Sequence, residues 1–132
     1  MTRNLLSYGA TFLTLAVLDF LWLGVVAKGL YRDGIGHLMA PAPNWGAAAA
    51  FYLLYPIGLL VFAVLPAGGD WLRALLLGAL FGAFCYGTYD VSNLAVLRDW
   101  PLQLTLVDIA WGALVSAAGA SAGAWLLRWA QP

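Results

Sequence analysis

Charged residues are scarce in this sequence. Only 9% of its 132 residues are charged, glutamate is absent, and the six aspartates are balanced by six lysines and arginines. Soluble domains usually contain about 25% charged residues, so this chain has too few to cover a surface exposed to water. Its net charge of zero also gives no electrostatic reason to expect a nucleic-acid partner or an acidic substrate.

Cysteine and histidine each occur once. Cys85 has no second cysteine to pair with, which excludes a disulfide bond within the chain. His37 is the only imidazole, which excludes a haem or zinc site built from several histidines. Gly-rich phosphate loops, cysteine pairs and serine-centred catalytic motifs are absent as well. The sequence therefore implies no particular cofactor, and it leaves any catalytic residue or bound metal unknown.

Apolar residues make up 64% of the chain and form four long stretches. A membrane-spanning helix needs about 20 mostly apolar residues, and the stretches 5–27, 45–65, 71–97 and 102–129 all reach that length. The first is too long for a signal peptide, so we expect it to be retained. We therefore predict an all-α integral membrane four-helix bundle, with residues 1–132 forming a single transmembrane domain in the lipid bilayer.

The three connections between these helices differ in length. Residues 28–44 form a longer first loop, in which Asn44 is placed to cap the second helix, whereas residues 66–70 and 98–101 form tight turns. Such short turns predict antiparallel neighbours. Each side of the membrane then receives three basic residues: Arg3, Arg73 and Arg128 on one side, and Lys28, Arg32 and Arg98 on the other. Because the positive-inside rule depends on a difference between these numbers, it assigns no orientation and allows both.

Three aspartates interrupt the apolar stretches, although each such residue costs about 2.5–3.5 kcal/mol on insertion scales. Asp19, Asp90 and Asp108 each lie eight or nine residues from the loops on one side, which places all three about 12–14 Å deep. Two unit charges about 6 Å apart repel by about 2.8 kcal/mol at an effective dielectric constant of 20. We therefore expect at least one of these acids to be protonated unless a cation is bound.

Aromatic and polar side chains are spaced so that they reach the same depth as the acids. Phenol hydroxyls from the second helix can donate to a carboxylate, the third helix carries polar residues along one face, and a tryptophan follows two of the acids by three positions. The predicted ligand-binding residues are Asp19, Trp22, Tyr52, Tyr55, Tyr86, Tyr89, Asp90, Asn93, Asp108 and Trp111. The alternative is that these groups only join the helices by hydrogen bonds.

Two further patterns concern the arrangement of the helices. Small residues at Gly78, Gly82, Gly112, Ser116, Gly119 and Gly123 permit close approach of helix backbones, either within the bundle or between subunits. An Asp-x-x-Trp pattern occurs in both the first and the fourth helix, which are predicted to run in opposite directions. Such a match is typical of an inverted repeat with a site at the membrane midplane, and chance similarity between Leu-rich segments is the alternative.

The motifs that contain these residues resemble those of a known family. LDFLWLG at 18–24, FYLLYP at 51–56, GTYDVSN at 87–93 and DIAWG at 108–112 are similar to segments of the bacterial predicted membrane proteins catalogued as domain of unknown function 2177. The resemblance covers nearly the whole chain. It implies a multi-pass protein of the bacterial inner membrane, and it implies no activity.

Three functional hypotheses are compatible with this sequence. The first is a transporter-type or ligand-binding component, whose Asp, Tyr and Asn residues bind a proton, a cation or a lipid-like or cationic ligand. A homo-oligomer is expected in that case, because so small a chain should enclose little space alone. The second is an intramembrane enzyme that acts on a lipid or polyprenyl substrate, with Asp90 or Asp108 as acid or base and Asn93 orienting the substrate. The third is an assembly subunit of a larger membrane complex.

Overall fold

A computed structural model describes residues 1–130, which are almost entirely helical and contain no strand. In chain order the helices are α1 (Thr2–Val26), the short α2 (Lys28–Ile35), α3 (Trp45–Ala67), α4 (Trp71–Val96) and α5 (Leu102–Trp129). All but α2 are long and apolar enough to cross a membrane. The prediction of an all-helical chain with four helices long and apolar enough to span a membrane is therefore confirmed, and the largest difference at a helix end is the start of α1 at Thr2.

Polar side chains fix the starts of α3 and α4. The Asn44 side chain accepts a hydrogen bond from the backbone N–H of Ala47 at 3.1 Å, as its position in the sequence predicts. Asp70 accepts from the N–H groups of Leu72 and Arg73 at 3.0 and 3.2 Å. These caps satisfy backbone donors that have no partner within the helix, so both helices begin at defined residues.

The first connection is more ordered than its glycines and prolines suggest. The last turn of α1, Trp22–Val26, is a wider π-helical turn, and Ala27 N–H donates to the Trp22 carbonyl at 2.8 Å across it. The chain then forms α2 and a 3-10 turn, Gly36–Leu38. Much of the first connection is therefore helical, from Lys28 to Leu38.

Glycine residues allow α4 and α5 to approach each other very closely. A Cβ atom added at Gly82 would lie 2.2 Å from the carbonyl oxygen of Gly112, and one added at Gly78 would lie 2.7 Å from Ala120 Cβ. Helix α1 contacts the same α5, where Ser7 Oγ donates to the Gly123 carbonyl at 2.8 Å. The small residues are buried within the chain, which favours packing inside one bundle.

The apolar core occupies one half of the bundle. Its buried members come from all four long helices and are Leu15, Leu59, Ala63, Val64, Ala67, Ala74, Val115, Ala120, Ala124 and Leu127. They lie toward the chain ends and the turn that joins α3 to α4. The three intramembrane aspartates belong to the other half, so the tightly packed half supports a second half that contains the polar residues.

The close contact of α4 with α5 gives a test of this packing. Replacing Gly82 by Ala should lower the free energy of unfolding by about 1–3 kcal/mol, because the new methyl group overlaps the Gly112 carbonyl. Gly87→Ala is the matched control on the same helix, since a Cβ there meets no atom within 4 Å. Denaturation in detergent micelles measures both variants, and equal stability would show that α4 and α5 lie farther apart.

Candidate ligand-binding site

A cavity of about 1080 Å³ lies between the helices at the level of the aspartates. All five helices contribute to its lining, which is mainly aromatic and aliphatic. Its ionisable side chains are the carboxyls of Asp19, Asp90 and Asp108, the thiol of Cys85 and the phenols of Tyr31, Tyr52, Tyr55, Tyr86 and Tyr89. Within residues 1–130, no lysine, arginine or histidine lines this cavity.

Asp19 accepts hydrogen bonds on both carboxyl oxygens. Tyr52 of α3 donates its hydroxyl to Oδ2 at 2.5 Å, and Trp111 of α5 donates Nε1–H to Oδ1 at 2.9 Å. The side chain is almost buried, with 7% of its surface exposed. Asp19 therefore joins three helices, and its two donors stabilise a carboxylate that lipid alone would not solvate.

Asp108 receives its hydrogen bond from a residue outside the spanning helices. The Tyr31 hydroxyl of α2 donates to Asp108 Oδ1, and Trp22 Nε1–H donates to the Tyr31 oxygen at 3.1 Å. Burial raises the pKa of the Tyr31 phenol above its ordinary value, and the hydrogen bond to Asp108 raises it further. Tyr31 therefore remains a protonated donor at neutral pH.

Tyr31 is a site residue that the sequence pattern did not predict, because it lies outside the four apolar stretches. The sequence nevertheless contained a signal for it, because Tyr31 is a phenol in the first connection, on the side of the membrane nearest the aspartates. Its position near Asp108 also depends on the π-helical turn at the end of α1, which the amino-acid pattern does not predict.

The two Asp-x-x-Trp segments pair with each other across the bundle. The rings of Trp22 and Trp111 stack with a centroid distance of 4.4 Å and an interplanar angle of 5°. Trp111 donates directly to Asp19, whereas Trp22 reaches Asp108 through Tyr31. Each tryptophan is thus linked by hydrogen bonds to the aspartate of the other segment.

Asp90 differs from the other two acids because it has no donor. Its side chain is 0% exposed, and neither carboxyl oxygen has a hydrogen-bond partner among the described residues. It lies beside the carboxyl group of Asp108 and contributes to the cavity wall. A buried polar group without a partner is energetically costly, so Asp90 is the acid of the site whose bonding is incomplete.

The remaining expected site residues have different surroundings. Tyr55 shares a hydrogen bond with Ser116 at 2.7 Å, the Tyr86 ring packs directly over Gly112, and Tyr89 meets the edge of Trp100 at 5.8 Å. All three tyrosines line the cavity. Asn93 is not part of its lining, and no hydrogen bond of its side chain occurs within residues 1–130.

The donor set gives no support to a metal centre. In the part of the chain that the structure describes, no three histidine, cysteine or acidic side chains are grouped so that they could hold a metal ion. Asp90 and Asp108 are neighbours, whereas Asp19 is engaged by Tyr52 and Trp111. The site is therefore better suited to a ligand with apolar parts and hydrogen-bond donors than to a bare metal cation.

Comparison with known proteins identifies one family. The model of a family described as predicted membrane protein, domain of unknown function DUF2177, matches residues 4–125. No curated protein and no solved structure matches the chain. The match includes every residue of the site described above.

The hydrogen bond from Tyr31 should contribute measurably to stability. Tyr31→Phe removes the donor to Asp108 and should lower the free energy of unfolding by about 1.5–3 kcal/mol, as expected for a bond to a charged acceptor. Tyr89→Phe is the control, because its hydroxyl forms no hydrogen bond to another described residue. If thermal unfolding in detergent gave the same midpoint for both variants, the link from α2 to Asp108 would be wrong.

The isolation of Asp90 predicts that its carboxyl group carries a proton when no ligand is bound. An ionised group with neither water nor a donor would be strongly disfavoured at this depth. Infrared spectroscopy of the ligand-free protein should therefore show the C=O band of a protonated carboxyl group, and Asp90→Asn should remove it. Persistence of the full band in that variant would assign the proton to Asp19 or Asp108 instead.

Proposed function

The chain belongs to the DUF2177 family of predicted membrane proteins, and from this premise we propose that it binds an amphipathic molecule inside the bilayer. The observation that carries the proposal is the unpartnered, fully buried carboxyl group of Asp90 at the wall of an apolar cavity. The polar head of the ligand would meet Asp90, and its chain would lie against the apolar wall.

The dimensions and lining of the cavity support this reading. Ligand pockets typically enclose about 300–1,000 Å³ and combine apolar walls with a few placed polar groups. The present cavity, at about 1080 Å³, is slightly larger than that range, and Phe12, Phe20, Leu23 and Phe51 provide apolar surface. Such a space has room for a chain as well as a headgroup.

An antiparallel bundle is part of the proposal. Ser7 of α1 bonds near the end of α5, whereas Asp19 bonds to Trp111 near its middle. This order of contacts fits helices that run in opposite directions, as the inverted-repeat interpretation requires. The setting that we propose is a bacterial inner membrane, with one chain forming the whole site. The reason for expecting a homo-oligomer, lack of space in one chain, no longer applies.

A purely structural role would explain only part of the cluster. Hydrogen bonds that join helices account for Asp19 and Asp108, both of which have donors from other elements. They account less well for Asp90, because its carboxyl oxygens have no hydrogen-bond partner among the described residues and an unpartnered buried carboxyl adds a cost. Leu or Ala at that position would pack a bundle more cheaply, so we assign Asp90 a ligand-binding role.

The second candidate is an intramembrane enzyme that acts on a neutral lipid. The observation that favours it is the adjacency of Asp90 and Asp108, since two neighbouring carboxyls can serve as acid and base. Asn93, outside the cavity lining, is not proposed to orient a substrate. Incubation with total lipid extract, followed by mass spectrometry, distinguishes the candidates: the enzyme forms a product that Asp90→Asn does not, whereas a binding protein returns its lipids unchanged.

Binding can be tested with a long-chain alcohol that carries a photoactivatable group in its chain. Irradiation should label cavity residues such as Leu23 and Cys85 in a saturable manner, and excess unlabelled alcohol should suppress this labelling. Peptide mass spectrometry measures both effects. Labelling that rises without saturation at all concentrations would indicate contact with bulk lipid alone and would contradict the proposal.

Replacing two alanines of α3 by phenylalanine, one at a time, gives a test of the cavity and its matched control. Ala48 lines the cavity, so Ala48→Phe should fill part of it and reduce saturable labelling by about tenfold, the effect of about 1.4 kcal/mol. Ala50 is exposed on the same helix and does not line the cavity. Ala50→Phe should therefore label like the unmodified protein.

A further inference from the structure

We propose that the headgroup of this ligand is a cation with N–H groups, as in a long-chain primary amine, and that Asp90 binds it. This inference rests on the proposed binding function and specifies the chemistry of the same site. It uses three properties of the described cavity: the sign of its charges, the assignment of its hydrogen-bond donors, and its aromatic walls.

The charges of the cavity exclude an anionic headgroup. Its lining contains Asp19, Asp90 and Asp108, and none of its described residues is a lysine, arginine or histidine. A phosphate or carboxylate group placed there would lie beside acidic side chains and would find no cationic side chain to balance its charge. A polyprenyl phosphate or an acidic phospholipid head therefore does not fit, although a cation does.

The unpartnered oxygens of Asp90 favour a ligand that brings a hydrogen-bond donor. The hydroxyls of Tyr31 and Tyr52 are already donated to Asp108 and Asp19, and that of Tyr55 is engaged with Ser116. Both oxygens of Asp90 remain without a donor. An ammonium group with N–H bonds supplies donors and charge together, whereas a quaternary ammonium group supplies charge alone.

The aromatic walls suit a cation of either kind. Tyr86 and Tyr89 stand on the same helix as Asp90, and Trp111 is on α5, all with rings in the cavity lining. Aromatic faces attract ammonium groups, so this feature supports a cation without distinguishing primary from quaternary amines. The vacant oxygens of Asp90 make that distinction.

Binding of an ammonium group to Asp90 should release a proton and so change the infrared spectrum. An alkylammonium ion that pairs with protonated Asp90 displaces the carboxyl proton to solvent, which leaves a carboxylate and an ammonium ion in contact. No covalent bond forms or breaks in the ligand. Addition of dodecylamine hydrochloride should therefore abolish the protonated-carboxyl band in the infrared spectrum, whereas dodecanol should leave that band in place.

The affinity test uses four competitors with the same twelve-carbon chain: dodecylamine, dodecyltrimethylammonium, dodecanol and dodecyl phosphate. Each is added to the full-length protein with the photoactivatable alcohol, and the concentration that halves saturable labelling is measured. Dodecylamine should compete at about tenfold lower concentration than any other chain, because hydrogen bonds to a charged partner are worth about that factor or more.

Substitution of the acid then assigns the preference to one residue. In Asp90→Asn, the concentration of dodecylamine that halves saturable labelling should rise to that of dodecanol, and the value for dodecanol should not change. Asp33→Asn is the matched control, since Asp33 is exposed on α2 and outside the cavity. If Asp90→Asn fails to fold, the order in which the four twelve-carbon compounds compete on the unmodified protein still tests the inference.

The outcomes separate this inference from the function on which it rests. Saturable labelling that amine and alcohol displace equally would overturn the amine inference and leave the binding function standing. Equal competition by the trimethylammonium chain, or stronger competition by the phosphate, would do the same. Absence of saturable labelling with every chain would overturn the binding function, and the inference with it.

Discussion

A carboxylate inside a bilayer must obtain from the protein the hydrogen-bond donors that water supplies elsewhere. This requirement determines how the polar half of the molecule is arranged. Asp19 satisfies it with donors from α3 and α5, and Asp108 satisfies it with a donor from α2. Four helices are therefore positioned by two side chains. Because a misplaced donor would leave a buried charge without a partner, these contacts define the relative positions of the helices more strictly than apolar side chains can.

That arrangement depends in turn on the opposite half of the bundle. Glycines bring α4 and α5 within backbone contact, and Ser7 holds α1 against Gly123. Lipid provides no hydrophobic force between helices, so such close packing is the main source of association there. The helices pack closely in the half with small residues, whereas large aromatic residues separate them in the other half. The cavity lies in that second half.

Much of this could be predicted from the sequence, because depth in a membrane follows directly from residue number. Counting along the helices placed Asp19, Asp90, Asp108 and Tyr52 at one level, and the structure brings all four to one cavity. Rotation about each helix axis is less predictable. Asn93 shares a broad face with Asp90 by helical spacing, yet it lies outside the lining.

The sequence could not reveal which acid would be left without a donor. That outcome depends on Tyr31, which approaches Asp108 because α1 ends in a π-helical turn and the chain continues at once into α2. A backbone widening of this kind has no reliable signature in composition. The same limitation applies to the cavity, because its lining combines residues from all five helices.

The isolation of Asp90 also follows from the direction of side chains on a helix. Long side chains point back toward the N-terminus of their helix, and Tyr86, one turn before Asp90, packs over Gly112 of α5. In the turn after Asp90, Asn93 lies three residues later and Leu94 four residues later, and neither forms a hydrogen bond with the carboxyl group. The opposite helix offers Asp108, a second carboxyl, which accepts a hydrogen bond from Asp90 only while Asp90 is protonated. Asp90 therefore has no donor among the described residues, and the cavity that it lines is where a ligand would supply one.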